Sequence, residues 1–188
     1  MNRTEPIVLS KILTSKMTDR ETKQDESILQ GKIAAYLDKY FFVFREVWNI
    51  GHNFRIDLVI IHRSDIEKKY PIGIEVKLTD KKKGKDLAMW LKQASNYADQ
   101  QFNVFGKCLI ITAPQISDYY LREGERMHQH DEKTGYANNI GTFIGQFNIG
   151  ELQKYEDKYM RIVFKGQIIW ESRYNEFHSN NYERLCPR

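Results

Sequence analysis

Apolar side chains return every three or four residues in the first third of the chain. Asp25 and Glu26 precede this pattern, and acidic residues in a first turn favour a helix N-terminus. The apolar positions that follow at this spacing are Leu29, Ile33, Tyr36, Leu37 and Tyr40. The pattern predicts an amphipathic helix that begins near Glu26 and buries one face.

Strand-like runs rich in β-branched and aromatic residues follow this helix. The runs are Phe41 to Trp48, Phe54 to Ile61, Ile72 to Leu78 and Phe105 to Thr112. Between the last two, apolar residues at helical spacing predict a second helix from Asp86 to about Gln101. A helix between two strands implies a crossover to a parallel neighbour. The prediction is therefore an α/β fold with a central mixed sheet flanked by helices.

Glu75 and Lys77 place an acid and a base two residues apart inside the third strand-like run. Successive side chains of a strand point to opposite faces, so these two share one face while Ile74 and Val76 take the other. The pattern directs a carboxylate and an ammonium group toward one point.

Asp57 lies near the start of the preceding strand-like run, and a polar stretch that ends at Pro71 separates the two runs. If that stretch is a hairpin loop, antiparallel pairing with Ile61 opposite Pro71 brings Asp57 opposite Glu75. Two carboxylates and Lys77 then converge at one end of the hairpin. The competing interpretation is a cross-strand salt bridge on a solvated face of the sheet.

Two carboxylates within a few ångströms repel each other unless they are protonated or bridged by a cation. Mg²⁺ suits a site with one or two carboxylates, retained waters and phosphate oxygens. A metal ion bound there can polarise a phosphodiester and lower the pKa of a bound water. Lys77 would then orient that water or stabilise the transition state.

In this order and strand context, Asp57, Glu75 and Lys77 resemble the signature of the PD-(D/E)XK nuclease superfamily. Ile56 stands where the signature has Pro, which is not a metal ligand. The resemblance covers about half of the chain, residues 25–112, and implies a restriction-endonuclease-like core: a helix, a three-strand meander, a second helix and a fourth strand. It also implies hydrolysis of DNA phosphodiester bonds with Mg²⁺ or Mn²⁺, with Asp57, Glu75 and Lys77 as the catalytic residues.

The resemblance implies a metal shell of Asp57, Glu75, the Val76 carbonyl and Glu26, a carboxylate of the first helix. Glu26 also has a plainer explanation, because an acid is favoured by the dipole at the start of any helix.

Gln93 and Tyr97 are four residues apart on one face of the second predicted helix. They resemble the Gln-xxx-Tyr pair of recombination-nuclease-like members, in which the pair lies along the nucleic acid strand. The alternative is that the two residues have no role in binding and belong to the surface of the helix and the edge of the core. Some of those members hold an iron–sulfur cluster on four cysteines. This chain has two, Cys108 and Cys186, so no such cluster is expected.

Four lysines follow the third strand-like run: Lys81, Lys82, Lys83 and Lys85. Directly after the candidate catalytic strand, they could hold phosphates near the scissile bond. Without that position, they would be an ordinary solvated loop.

The remaining segments are peripheral to the predicted core. Residues 1–24 are interpreted as an N-terminal arm and residues 25–188 as a single domain, with an insertion at about 114–139. Strand character resumes from Gly141 to Ile149, and residues 159–171 are predicted to form a terminal β-hairpin around Lys165 and Gly166.

Composition agrees with one globular domain. The 188 residues are 41% hydrophobic and carry a net charge of +4, which permits a polyanionic partner without requiring one. No signal sequence or membrane-spanning run is apparent and cysteines are few, so a cytoplasmic protein with no membrane partner is expected.

The predicted function is metal-dependent hydrolysis of DNA, with DNA as the partner. A domain of this size seldom carries two active sites, so double-strand cutting would need a homodimer or two sequential nicks. The alternatives are an RNA nuclease, and a non-catalytic nucleic-acid-binding or interaction module on the same scaffold.

Overall fold

The computed structural model describes residues 22–65, 67, 69–77, 84–113, 146–155 and 159–185. Three α-helices, one short 3-10 helix (Asn103–Phe105) and ten strands lie in these ranges. In chain order they are α1 (Thr22–Leu37), β1 (Phe41–Trp48), β2 (Arg55–His62), β3 (Ile72–Val76), α2 (Gly84–Ala98), β4 (Gln101–Phe102), β5 (Gly106–Lys107), β6 (Leu109–Ala113), β7 (Ile149–Tyr155), β8 (Tyr159–Phe164), β9 (Gln167–Glu171), β10 (Glu176–Phe177) and α3 (Ser179–Leu185).

Eight of the strands form one mixed sheet in the order β1-β2-β3-β6-β7-β8-β9-β10. The three central strands β3, β6 and β7 are parallel, and the other neighbours are antiparallel. The predicted succession of helix, three-strand meander, helix and parallel fourth strand is confirmed. The chain is a mixed α/β protein.

Helices α1 and α2 cover two separate hydrophobic clusters. Leu29, Ile33 and Leu37 of α1 pack in the cluster that contains Leu58 and Ile74. The second cluster holds four residues of α2 with inner side chains of β2 and β6: Trp90, Leu91, Ala94, Tyr97, Val59 and Ile110. Burial on both sides explains why β2, β3 and β6 are almost wholly apolar.

Several boundaries differ from the sequence-based prediction. The second helix spans Gly84–Ala98 instead of Asp86 to Gln101, and the strand predicted from Phe105 is divided into β5 and β6. No regular strand begins at Phe105, because residues 103–105 form a 3-10 turn and Gly106 after it has a φ of +68°, a conformation that suits glycine.

The C-terminal half contributes more structure than the predicted hairpin. The hairpin at residues 159–171 is observed as β8 and β9, but β7, β10 and α3 were not predicted. Strand β7 was not predicted because its sequence IGELQKY mixes charged and apolar residues. The predicted insertion at 114–139, most of the N-terminal arm and residues 141–145 of the predicted 141–149 strand lie outside the described residues.

Helix α3 secures the start of β3. The carbonyl oxygen of Pro71 accepts hydrogen bonds from the Tyr182 hydroxyl at 2.7 Å and from the backbone N–H of Leu109 at 3.1 Å.

None of the helices in the described ranges is both long and apolar enough to cross a lipid bilayer.

Gly150 and Gly31 should respond in opposite directions to replacement by alanine. A Cβ at Gly150 would lie 2.6 Å from the carbonyl oxygen of Val163, so Gly150→Ala should lower the free energy of unfolding by about 1–3 kcal/mol. A Cβ at Gly31, within α1, would meet nothing within 4 Å, and Gly31→Ala should raise it by about 0.5–1 kcal/mol. Urea denaturation measures both; equal effects would contradict the packing described for β7.

Candidate active site

The pairing of β2 with β3 has the predicted register. Leu58 lies opposite Ile74 and Ile60 opposite Ile72, and one further step along both strands brings Asp57 opposite Glu75. Beyond Leu58 the ladder continues through a side chain, because Oδ2 of Asp57 accepts a hydrogen bond from the backbone N–H of Val76 at 2.7 Å. This bond fixes the Asp57 carboxylate beside the end of β3.

Strand geometry is irregular at Asp57. β1 and β2 pair on both sides of Glu46 and Asp57 but not at these two residues, and Glu46 has a φ of +52°, which is uncommon for a residue other than glycine. Ile56 packs in the α2 cluster and Leu58 in the α1 cluster, so the alternation of faces is interrupted between them. Such interruptions re-aim side chains and recur near functional sites.

Glu75 and Lys77 point to the same side, as predicted, and form an ion pair. Nζ of Lys77 lies 3.0 Å from Oε1 of Glu75 and 3.2 Å from Oε1 of Glu26. Glu75 is only 1% exposed, whereas Glu26 and Lys77 are partly exposed. The ammonium group therefore stands between a buried carboxylate of the sheet and a carboxylate of α1.

Burial dominates the electrostatics of the two strand acids. Desolvation and then the charge of Asp57 raise the pKa of Glu75 to about 8, against the opposing effect of Lys77. Desolvation also raises the pKa of Asp57, although the hydrogen bond from Val76 and the charge of Lys77 work against it. A buried acid and a half-buried acid with raised pKa values at one point are typical of functional sites.

Lys77 responds in the opposite sense to its surroundings. Desolvation alone would lower its pKa, but Glu75 first, then Glu26 and Asp57, more than offset it, so that the pKa of Lys77 is raised. Lys77 is therefore a cation at neutral pH and cannot accept a proton there.

The carboxylate of Glu75 lacks good hydrogen bonds in the described part of the chain. Oε1 and Oε2 are both buried and neither accepts a well-aligned hydrogen bond; Oε1 has only its ion pair with Lys77. A buried, incompletely satisfied carboxylate is energetically costly, and a bound cation would remove that cost.

Asp57, Glu75 and Glu26, the three acids predicted to share one metal ion, do not form a ready metal site. Among the described residues, no three His, Cys, Asp or Glu side chains have an arrangement that could hold a metal ion. The Glu26 carboxylate is instead paired with Lys77, whose Nζ lies 3.2 Å from its Oε1. Glu26, Asp57 and Glu75 lie around this lysine, and a role of the Val76 carbonyl as a ligand stays a prediction.

No family model, curated protein or solved structure matches this chain. Function must therefore be inferred from the side chains themselves.

Gln93 and Tyr97 form one hydrogen-bonded unit, as their spacing allows. Nε2 of Gln93 donates to the Tyr97 hydroxyl at 2.7 Å, and that hydroxyl donates to the carbonyl oxygen of Arg55 at 2.9 Å. Tyr97 is 4% exposed, so its ring is a core residue that ties α2 to β2 two residues before Asp57. Burial disfavours stacking of the ring on nucleic acid; contact through the partly exposed Gln93 stays a prediction.

The lysine run cannot be compared with its prediction. Lys81, Lys82 and Lys83 lie outside the described residues, and only the backbone of Lys85 is described, in the first turn of α2. Their contact with nucleic acid stays a prediction.

Glu151 is a site-facing acid that the sequence did not single out. It lies opposite Thr112, and Thr112 lies opposite Glu75, so the three side chains form a row on one face of β3, β6 and β7. Two strand spacings separate the acids by roughly 10 Å. Glu151 is 2% exposed and accepts a hydrogen bond from Gln153. The sequence signal that could have identified Glu151 is the alternation in Gly150-Glu151-Leu152, which places Glu151 on the strand face opposite to Leu152.

Replacing Glu75 by Gln should remove a pH-dependent cost of folding. The pKa of Glu75 rises from 4.5 to about 8 in the folded chain, so its ionisation opposes folding. This penalty is absent below about pH 4.5, grows as the pH rises and is complete above about pH 8. In metal-free buffer, the Tm of Glu75→Gln minus that of the unmodified protein should increase from about pH 5 to about pH 9.

Glu67→Gln is the matched control, because the Glu67 side chain is 66% exposed and its ion-pair partner is a lysine, a residue type that keeps its charge between pH 5 and pH 9. The same chemical change there should leave the Tm difference independent of pH. A pH-independent difference for Glu75→Gln as well would contradict the raised pKa.

Proposed function

We propose that this protein is a metal-dependent nuclease that hydrolyses DNA phosphodiester bonds on a restriction-endonuclease-like core. The observation that carries the proposal is the meeting of Asp57, Glu75 and Lys77 at the end of the β2–β3 hairpin. A cross-strand salt bridge on a solvated surface is a weaker explanation, because Glu75 is 1% exposed and a buried acid beside a second, half-buried acid is costly to keep for stability alone.

The arrangement of elements supports the same reading. Helix α1, the β1–β2–β3 meander, α2 and the parallel strand β6 follow one another in the order implied by the resemblance. The candidate residues come from β2, from the end of β3 and from the N-terminal half of α1. Several different elements thus contribute to one charged cluster, as they do in most active sites.

The donor set suits Mg²⁺ or Mn²⁺. Glu75, with its incompletely satisfied carboxylate, and Asp57 would hold the ion together with the Val76 carbonyl. Glu26 would assist them by exchanging its contact with Lys77 for the metal. When bound, such an ion supplies Lewis-acid polarisation of the phosphodiester and a more acidic bound water. The site offers one or two strong carboxylate ligands, and waters and phosphate oxygens would complete the shell.

Lys77 would act as a fixed positive charge. Because its pKa is raised, it donates hydrogen bonds and does not serve as a general base. Its ammonium group can orient the attacking water and stabilise negative charge on the phosphoryl oxygens as it develops. Glu26 and Glu75 hold the ammonium in place from two sides.

The buried Tyr97 has a positioning role. By hydrogen-bonding the carbonyl of Arg55, it holds the part of β2 that leads into Asp57, and it presents Gln93 beside the site. Gln93 and the lysines at 81–83 and 85 are proposed to orient the DNA strand.

Lys77→Met should lower DNA cleavage at least about a hundredfold, because it removes the charge and keeps the alkyl stem. Purified protein is incubated with circular, linear, single-stranded and branched DNA and with RNA, in Mg²⁺, Mn²⁺ or a chelator. We expect cleavage only with a divalent cation and a preference for DNA. Lys32→Met is the matched control, since Lys32 is an exposed residue of α1, and it should cleave normally.

Folding and metal binding are followed separately by the Tm with and without Mn²⁺. Lys77→Met should keep a Mn²⁺-induced rise in Tm, whereas Glu75→Gln should lose most of it. Cleavage without metal, or full activity of Lys77→Met, would refute the proposal. Tight DNA binding with no cleavage under any divalent metal would indicate a non-catalytic binding module instead.

A further inference from the structure

A second candidate site lies at the opposite end of the parallel strands from Glu75. A cavity of about 320 Å³ opens between the end of α2, the segment that leads into β6, the β8–β9 turn and α3. The backbone N–H of Lys77 donates a hydrogen bond to the carbonyl oxygen of Ala113, at the C-terminal end of β6. The cavity reaches Leu109 and Ile110, at the start of the same strand. Four residues of strand correspond to roughly 13 Å, so the cavity is distinct from the candidate active site.

Three cations from three different elements line this cavity: Lys107 of β5, Lys165 of the β8–β9 turn and Arg184 of α3. Asp99 is the one acid among the lining residues, so the formal charge is three minus one, or +2. All four side chains are exposed. None of the three cations has an ion-pair partner within the described ranges, and Lys165 only lies over the ring of Phe164, 5.4 Å from its centroid.

The lining of the cavity mixes polar and apolar residues. Leu109, Ile110 and Phe164 lie at its base and are each no more than 2% exposed. A volume of about 320 Å³ lies within the usual range for small-molecule sites. A cavity of this size with a cationic rim suits a small molecule that carries an anionic group.

Lys165 occupies a backbone conformation that favours other residues. The two-residue turn Lys165-Gly166 has φ values of +48° and +73°, the geometry of a type I′ turn, in which Asn or Gly is preferred at the first position. Lysine at that position costs conformational energy. A role for its ammonium group at the rim of the cavity gives this choice a physical reason.

We infer that this cavity binds a small organic phosphate, with Lys107, Lys165 and Arg184 contacting the phosphate and the rest of the cavity holding the remainder of the molecule. A phosphate monoester carries close to two negative charges at neutral pH, which matches the +2 of the lining residues. Its several oxygens can accept hydrogen bonds from cations that approach from different sides. The inference does not depend on nuclease activity.

The test is calorimetric titration of the full chain with adenosine 5′-monophosphate, and with adenosine and inorganic phosphate for comparison. We expect the monophosphate to bind more tightly than either. Lys165→Asn and Arg184→Gln should each weaken binding about fivefold, and binding should weaken as the salt concentration rises. Lys32→Gln, a charge-matched change on α1, should have no effect.

Lys165→Asn separates binding from folding, because Asn is better suited than Lys to the turn. It should lower affinity for the monophosphate while leaving the Tm unchanged or higher. No measurable binding of the monophosphate, or equal affinity for adenosine, would overturn the inference. A short DNA oligonucleotide that bound more tightly through the same residues would also overturn it in favour of a nucleic acid interface.

Discussion

The pairing of β2 with β3 is the constraint on which the candidate active site depends. Leu58 and Ile74 face each other in the ladder, and because strand side chains alternate with a period of two, a slip of one residue would send Glu75 and Lys77 to the opposite face. The apolar side chains that the two helices cover make such a slip expensive. The core thus determines where the charged side chains meet, and the Asp57–Val76 hydrogen bond closes the arrangement.

The charged side chains of the candidate active site have opposing effects on folding. Glu75 is almost completely buried, its pKa is raised, and its carboxylate is not fully satisfied by hydrogen bonds from the described residues. Lys77 offsets part of this cost by pairing with both Glu75 and Glu26. Sites that keep unfavourable electrostatics despite a simple apolar alternative are commonly functional, because activity and stability make different demands on the same residues.

The sheet continues well past the candidate active site and has two chemically different ends. At the C-terminal ends of β3 and β6, Glu75 and Thr112 lie in a row with Glu151, the third residue of β7. Toward the N-terminal end of β6, the cavity has a cationic rim. The C-terminal segment is needed at both ends, because β7 supplies Glu151, α3 supplies Arg184, and Tyr182 of α3 anchors Pro71 at the start of β3.

Local pattern was sufficient for the elements of the first half and for the register of the β2–β3 hairpin, because helical and strand periodicity and the turn at Pro71 are short-range properties of the chain. Only the tertiary structure decided that Tyr97 is buried, that Lys77 pairs with Glu26, and that Glu151 joins the row beside Glu75. These features depend on contacts between residues 39 to 51 positions apart in sequence, and no local pattern encodes which distant side chain will occupy a given space.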